Sequence, residues 1–229
     1  MYKEFAILYD EFINVPYDRW ANFISKEIRG SKLVLDLCCG TGTLTGILKK
    51  IGYDMIGIDG SLEMLTIAKD KNPDILFLHQ DIRDFELYGT VDAVICTCDA
   101  LNYILEEEEL LGVFKLVKNY LNPNGTFIFD VKTEETFKNL MERTFYESEL
   151  GLLTCELNYD DKTKINEYLL NIFIKIKGST YEKSFEIHKQ RAFNNIDEIV
   201  EKAGFTIMKK RENYSENDID RTVYVCGVQ

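Results

Sequence analysis

The sequence predicts a doubly wound α/β fold, in which a mostly parallel sheet is covered by helices on both faces. Between Ser31 and Asp130, short β-branched apolar runs alternate with longer segments of helical spacing. A turn containing two glycines joins the first apolar run to the first helical segment. Strands that are apolar on both faces need cover on both sides, and helices placed between parallel strands provide it.

The predicted elements of this region follow one another in regular β-α-β order, and we expect right-handed crossovers. The strands are Leu33–Cys38, Tyr53–Asp59, Ile75–His79, Val91–Cys98 and Thr126–Asp130. The helices are Thr43–Ile51, Ser61–Lys71 and Glu106–Leu121. The last helix begins with the acidic run Glu106–Glu109, which is favourable at the positive end of a helix dipole.

After Asp130 the pattern changes to period-two alternation, which predicts antiparallel strands over residues 143–191. The alternation is clearest in Ile165–Ile176 and Tyr181–His188. A helix from Asn194 or Asn195 to Ala203 and two strands, Phe205–Lys209 and Thr222–Val228, are predicted to follow. Because no Ser/Gly/Pro-rich linker interrupts the chain, we expect one domain over 1–229, with 143–191 as an insertion and 1–30 as a helical cap.

Composition favours a small substrate. The 229 residues contain 27 basic and 39 acidic side chains, a net charge of −12, whereas nucleic-acid binding depends on basic residues. No run approaches the ~18 apolar residues of a membrane span, and acidic residues near the start argue against a signal peptide. We therefore expect a cytoplasmic monomer or homodimer with no nucleic-acid or membrane partner.

The six cysteines are expected to be free thiols, as is usual in a reducing compartment. Zinc binding by Cys38, Cys39, Cys96 and Cys98 is not favoured, since neighbouring strand residues point to opposite faces and zinc needs converging thiolates. No metal site is predicted.

The strongest functional signal is the segment Asp36-Leu37-Cys38-Cys39-Gly40-Thr41-Gly42, which follows a strand and opens a helix. Gly40 and Gly42 let the backbone approach a ligand, and the helix start presents free N–H groups. Asp59 ends the next strand, where a carboxylate meets a ribose diol, and Asp81 ends the strand after that. Three successive strands ending in aspartate favour a nucleotide-like ligand.

Five stretches carry a family resemblance, VLDLCCGTGTLT, GIDGSLEMLTIAK, HQDIRDF, VDAVICTCDALNYI and LNPNGTFIFDVKT. In this order, from about Ser31 to Asp130, the chain resembles the class I S-adenosylmethionine-dependent methyltransferases of the small-molecule type. The resemblance implies a Rossmann-like, seven-stranded sheet of order 3-2-1-4-5-7-6 whose last strand is antiparallel. It also implies S-adenosyl-L-methionine as the cofactor.

The resemblance also assigns cofactor-binding residues. Asp36 would reach toward the methionine amino group, Asp59 would pair with the ribose hydroxyls, and Asp81 would accept from the adenine amino group. Cys38 stands where the family most often has glycine, so its side chain must point away from the cofactor or crowd it. The remaining predicted contacts are Tyr17, Trp20, Gly40, Gly42, Gly60, Ser61, Met64, Ile82 and Cys96.

Candidate catalytic residues are His188, Tyr9 and Asp99, and candidate substrate contacts are Asn102 and Tyr103. A histidine can deprotonate an amine or hydroxyl, although a solvent-exposed strand histidine is the commoner case. Asp99, Asn102 and Tyr103 follow the fourth strand, where this fold often places groups that face the substrate. Tyr9 belongs to the N-terminal segment, which closes over the cofactor in small-molecule members of the family.

The predicted activity is transfer of a methyl group to a nitrogen or oxygen nucleophile of a small molecule. A dinucleotide enzyme is disfavoured, because Thr45 stands where a third glycine is needed, although Gly46 could be that glycine displaced by one position. A non-catalytic scaffold or sensor that binds the cofactor remains an alternative. An RNA or protein methyltransferase would require residues such as Lys209, Lys210 and Arg211 to cluster on one face.

Overall fold

A computed structural model of the chain describes residues 3–178, 180–214 and 221–228. The helices are α1 Phe5–Phe12, α2 Tyr17–Glu27, α3 Thr43–Ile51, α4 Leu62–Lys71, α5 Glu107–Tyr120, α6 Glu134–Asn139 and α7 Ile196–Lys202, with a 3₁₀ turn at Ala100–Tyr103. The first five strands are β1 Leu33–Leu37, β2 Asp54–Asp59, β3 Leu76–His79, β4 Val91–Cys96 and β5 Leu121–Val131. The others are β6 Arg143–Glu147, β7 Gly151–Asp160, β8 Ile165–Lys177, β9 Thr180–Arg191, β10 Phe205–Glu212 and β11 Thr222–Val228.

The large sheet has seven strands in the order β3-β2-β1-β4-β5-β11-β10. Strands β1 to β5 are parallel to one another, and β11 is antiparallel to both of its neighbours. The predicted fold class and strand order are therefore confirmed. The prediction that β4 reaches Cys98 is wrong, because Cys98 and Asp99 have positive φ angles of 60° and 52°, which end an extended strand.

Helices cover both faces of the large sheet, as expected for strands that are apolar on both sides. One face packs on α5 and α7 through residues such as Phe114, Val117 and Val200. The opposite face packs on α2 and α3 through residues such as Ile24 and Leu48. The sheet therefore lies between two layers of helices that pack on it through apolar residues. The ends of its strands are available to form a site.

Local sequence sets where the helices beside these strand ends begin. Gly42 precedes α3 in a left-handed conformation, and Ser61 Oγ caps α4 by accepting a hydrogen bond of 3.2 Å from the Met64 N–H. The predicted acidic start of α5 is confirmed, with three glutamates in its first turn. Helices α3 and α4 therefore point their positive ends toward the carboxyl ends of β1 and β2.

A second, antiparallel sheet has the strand order β6-β7-β8-β9, and we call it the small sheet. Its inner face packs on α1, where Phe5 and Leu8 meet Leu153, Leu170 and Ile172. The predicted antiparallel strands of 143–191 are thus confirmed. Among the residues that the structure describes, no helix has the length and apolar character needed to cross a bilayer.

Candidate active site

The segment Cys38–Gly42, which we call the glycine loop, joins β1 to α3 at the carboxyl edge of the large sheet. Cys38, Gly40 and Gly42 all have positive φ angles, of 64°, 53° and 69°. A Cβ at Gly42 would lie 2.9 Å from Ala68 Cβ, so this glycine is needed for packing. A Cβ at Gly40 would have no described atom within 4 Å, so the backbone there is open to a ligand.

Asp59, the last residue of β2, ties the glycine loop to the start of α4. Its carboxylate accepts hydrogen bonds of 2.8 Å from the N–H groups of Gly40 and Ser61. Burial raises the pKa of Asp59, although these backbone hydrogen bonds act in the opposite direction. A carboxylate has about four lone-pair positions, so Asp59 retains capacity to accept from a diol.

Asp36 lies beneath the glycine loop and is almost fully buried. Its Oδ2 accepts a hydrogen bond of 2.6 Å from Thr45 Oγ1. Burial raises its pKa to about 7, the bond from Thr45 lowers it, and the neighbouring Asp59 raises it further. A cationic group bound beside Asp36 would favour its ionised form, as a methionine ammonium would.

The direction of the Cys38 side chain decides whether this residue points away from the cofactor or crowds it. It packs against the apolar core of the large sheet, and its thiol lies close to the buried Cys96 thiol at the end of β4. The neighbouring Cys38 thiol raises the pKa of Cys96, and burial raises it further. The structure therefore directs the Cys38 side chain into the sheet. All six cysteines lie in described residues and are free thiols.

The side of the site predicted to hold adenine is formed by the start of α4 and the segment after β3. Met64 is buried there, and Ile82 packs partly buried against the core. Asp81 is bound by Arg83, whose Nε lies 2.9 Å from Oδ1 and whose Nη2 lies 2.6 Å from Oδ2. These bonds lower the pKa of Asp81. The Gly60 carbonyl lies 3.0 Å from His79 Nε2.

Asp99, beyond the end of β4, is the centre of a buried polar network. Its Oδ2 accepts hydrogen bonds from Lys132 Nζ at 2.9 Å and Gln190 Nε2 at 2.6 Å, and Arg221 Nη1 lies 3.3 Å from Oδ1. Burial lowers the pKa of Lys132, but the Asp99 carboxylate and the Tyr168 hydroxyl together raise it more, so the net shift is upward and the ammonium stays charged. Asp99 is thus held firmly by three partners.

Asn102, which was predicted to contact the substrate, is fully buried and bonded to backbone. Its Nδ2 donates to the carbonyl groups of Lys132 and Arg191, at 3.1 and 2.8 Å, and its Oδ1 accepts from the Lys132 N–H. Asn102 therefore joins the 3₁₀ turn after β4 to the residue that follows β5 and to the end of β9. Tyr103 is partly buried, and its ring centroid lies 6.3 Å from that of His188, edge to face.

His188 is buried, with 5% of its side chain exposed, so the expectation of a solvent-exposed histidine is wrong. The reason is that β9 turns its polar residues inward. Glu186, His188 and Gln190 are buried toward the start of α1, Tyr103 and Asp99, while Phe185 and Ile187 are exposed. His188 Nε2 lies 2.8 Å from Glu186 Oε2.

The two N-terminal helices, α1 and α2, carry three more of the predicted site residues. Tyr9 on α1 is partly buried. Burial raises the pKa of Tyr17 on α2 well above the usual range, and the neighbouring Cys98 thiol raises it further. Trp20 lies in the core, stacked on Tyr214 at a centroid distance of 4.3 Å. The structure gives Trp20 a packing role, and its predicted cofactor contact stays a prediction.

Asp10 on α1 connects this helix to the glycine loop through hydrogen bonds. Its Oδ1 accepts hydrogen bonds from Thr41 Oγ1 at 2.7 Å and Thr43 Oγ1 at 3.3 Å, and its Oδ2 pairs with Lys71. Five residues of these networks were not predicted from the sequence: Asp10, Glu186, Gln190, Lys132 and Arg221. A usable signal existed for two of these residues, because Glu186, His188 and Gln190 share one face of a strand at period-two spacing.

Comparison with known proteins identifies the family. Residues 34–125 match the family model of a methyltransferase domain. A Bacillus subtilis (strain 168) protein named "Putative methyltransferase YqeM" is 31% identical over 95% of this chain and 92% of its own length. A solved S-adenosylmethionine-dependent methyltransferase from Clostridium acetobutylicum ATCC 824 has 27% identity and a TM-score of 0.86, with 98% of each chain covered. The chain is a class I S-adenosylmethionine-dependent methyltransferase.

A further relative of this methyltransferase matches only part of it. The dTDP-3-amino-3,4,6-trideoxy-alpha-D-glucopyranose N,N-dimethyltransferase of Streptomyces venezuelae is 31% identical over 111 residues, 48% of this chain and 46% of that protein.

The cofactor of the methyltransferase is S-adenosylmethionine, and the residues at the carboxyl edge fit it. The open side of Gly40 admits a ligand close to the backbone, Asp59 retains lone pairs for a diol, and Asp36 is a buried acid that a cation would favour. When bound, S-adenosylmethionine supplies a methyl group activated by the sulfonium. The enzyme's own part is to hold the acceptor nucleophile, exclude water and accept a proton where one is released.

Proposed function

We propose that this methyltransferase acts in the cytoplasm on a small molecule, at a nitrogen or oxygen nucleophile. The observation that carries the proposal is the packing of the small sheet beside the carboxyl ends of β4 and β5. Gln190 on β9 bonds to Asp99 at 2.6 Å, and the Arg191 carbonyl accepts from Asn102 at 2.8 Å. A nucleic acid or folded protein would have to approach past this sheet, whereas a small molecule needs less room.

Two further observations support a small acceptor. The partial relative from Streptomyces venezuelae is named as an N,N-dimethyltransferase of an amino sugar nucleotide. The basic residues of β10, which an RNA substrate would use, face different ways. Lys209 and Arg211 lie over the Phe23 ring, whereas Lys210 lies over Tyr224 and pairs with Asp197. These contacts favour a small acceptor over RNA.

The proposed reaction is an in-line displacement, in which the acceptor attacks the methyl carbon as the sulfur departs. Holding the reactants in a desolvated near-attack geometry can supply roughly 7–11 kcal/mol of the barrier reduction. We propose that His188 accepts the proton. We also propose that Tyr9, Tyr103 and Asp99 line the acceptor site and orient the acceptor. An amine that arrives as an ammonium ion must lose one proton before its lone pair can attack, and a hydroxyl must lose its proton as the new bond to carbon forms.

The test is transfer of an isotope-labelled methyl group into cell metabolite fractions that are separated by size. We expect label in a low-mass fraction, and label only in RNA or protein would overturn the proposal. With the acceptor in hand, His188→Ala should leave cofactor affinity intact and lower turnover on the order of 10²-fold, the scale of general base catalysis. Unchanged turnover would remove His188 from the mechanism.

A further inference from the structure

The carboxylate of Glu186 contacts two functional parts of the molecule at once. Its Oε1 accepts hydrogen bonds from the backbone N–H groups of Phe5 and Lys3, at 3.0 and 3.3 Å. Its Oε2 lies 2.8 Å from His188 Nε2. Burial raises the pKa of Glu186, but His188 and the two N–H groups lower it more, so the net shift is downward. A charged carboxylate is therefore shared between the start of α1 and His188.

The start of α1 depends on this carboxylate for its cap. In the described structure Glu4, at the N-cap position of α1, forms no side-chain cap. The first N–H groups of a helix have no partner within the helix and need one elsewhere. Glu186 supplies it from 181 positions further along the chain, and its negative charge also suits the positive end of α1.

Glu186 also determines which nitrogen of His188 carries the hydrogen. An ionised carboxylate only accepts hydrogen bonds, so the neutral imidazole must carry its hydrogen on Nε2 to bond with Glu186. The lone pair then lies on Nδ1, and we assign proton acceptance to that atom. Tyr103 packs edge-on to the His188 ring, and Tyr168 on β8 is paired with His188 in the antiparallel register of β8 and β9.

The same helix is bonded at its other end to the cofactor side of the site. Asp10 accepts from Thr41 and Thr43 and pairs with Lys71 on α4. Helix α1 spans only eight residues, so the glycine loop and Glu186 are linked through one short, rigid element.

We propose that Glu186 is a positioning residue that holds His188 with its hydrogen on Nε2, and that seating of α1 by Asp10 and by Glu186 maintains this arrangement. The glycine loop, where the cofactor binds, is in this way coupled to the proton acceptor. The inference rests on the proposed function in one respect, which is that His188 accepts the proton.

The direct test is ¹⁵N NMR of protein labelled at histidine, which needs no acceptor. The chain has two histidines, and His79→Asn identifies the second set of signals. We expect the wild-type His188 to show the Nε2–H form. In Glu186→Gln the amide can donate to Nε2, so the signals should move toward the Nδ1–H form. The exposed Glu182 on the same strand gives the matched control, Glu182→Gln, which should leave the spectrum unchanged.

Coupling through α1 is tested by Asp10→Asn, with Asp18→Asn in α2 as its control. Asp10→Asn should speed hydrogen exchange at Phe5 and Ala6 and shift His188 toward a mixture of both forms. Unchanged His188 signals in Glu186→Gln would overturn the orienting role. Unchanged exchange and His188 signals in Asp10→Asn would overturn the coupling.

Kinetics separates this inference from the proposed function. Glu186→Gln should lower kcat about tenfold or more, with little change in the KM for the cofactor, and should add nothing in a His188→Ala background. Thermal unfolding checks that the variant is folded. If the Glu186→Gln loss persists undiminished in the His188→Ala background, Glu186 does not act through His188. If the wild type methylates no small acceptor, the proposed function fails while the NMR result stands.

Discussion

Thr45 Oγ1 donates a hydrogen bond of 2.6 Å to Asp36 Oδ2, joining the first turn of α3 to the end of β1. Both side chains are buried. Position 45 is where a dinucleotide-binding turn would need its third glycine for close helix-to-strand packing. Here a polar bond makes that connection, and it orients an acidic group beneath the glycine loop.

The raised pKa of Asp36 predicts a pH-dependent stability of the cofactor-free protein. The folded value is about 7 and the ordinary value is 3.8, so between these the folded state binds more protons than the unfolded state. The contribution of Asp36 to the free energy of unfolding should therefore fall as pH rises from about 4 to about 7 and then level off. Asp36→Asn should remove this contribution and gain on the order of 2 kcal/mol at pH 8.

Urea unfolding at several pH values between 4.5 and 8 measures this effect. Asp54→Asn is the control, because Asp54 is exposed and Lys49 lowers its pKa through a hydrogen bond. An unchanged slope in Asp36→Asn would show that another group is responsible.

Asp59 should be needed for cofactor affinity. Asp59→Ala removes both the acceptor for a ribose diol and the bonds that hold the Gly40 and Ser61 N–H groups. Charged hydrogen bonds of this kind contribute about 1.5–3 kcal/mol, so the Kd for S-adenosylmethionine should rise about tenfold or more. Asp54→Ala, at the other end of β2, should bind normally in the same calorimetric titration. Equal affinity in both variants would remove Asp59 from the cofactor site.

The two glycines of the loop should respond differently to alanine. Gly42→Ala places a methyl group against Ala68 and Phe77 at a φ of 69°, so stability should fall by about 2–4 kcal/mol. Gly40→Ala meets no described atom within 4 Å, so it should cost only about 1 kcal/mol while weakening cofactor binding. Thermal unfolding and cofactor titration of both variants make the comparison. Tight cofactor binding by Gly40→Ala would show that this side of the loop does not face the ligand.

Arg221 should stabilise the fold more than any surface ion pair. Its guanidinium lies 2.9 Å from Asp130, 3.3 Å from Asp99 and 4.7 Å from the centre of the Trp20 ring. Arg221→Met removes the positive charge beside two buried carboxylates, so the free energy of unfolding should fall by about 3–5 kcal/mol. Lys49→Met, which breaks the exposed pair with Asp54, should cost less than about 1 kcal/mol. Similar losses in urea unfolding would contradict this assignment.

The cofactor side of the site was predictable because its signals are local. Asp36, Gly40 and Gly42 lie within seven residues, directly after an apolar strand, and Asp59 ends the next strand. The acceptor side is assembled from distant segments, since Asp99 bonds to Gln190 and Arg221 across 91 and 122 positions. In β9 the alternation of apolar and polar residues predicts the wrong buried face. Apolar Phe185 and Ile187 face outward, while polar residues are buried against Asp99 and α1. Trp20 stacks on Tyr214, a contact that no local pattern indicates.

Isothermal titration of the purified chain with S-adenosylmethionine, and with its demethylated product S-adenosylhomocysteine, tests the central claim most directly. We expect saturable binding of both compounds at one site per chain, weakened by Asp59→Ala and unaffected by Asp54→Ala. A wild-type protein that binds neither compound would contradict the assignment of the glycine loop, Asp36 and Asp59 as a cofactor site.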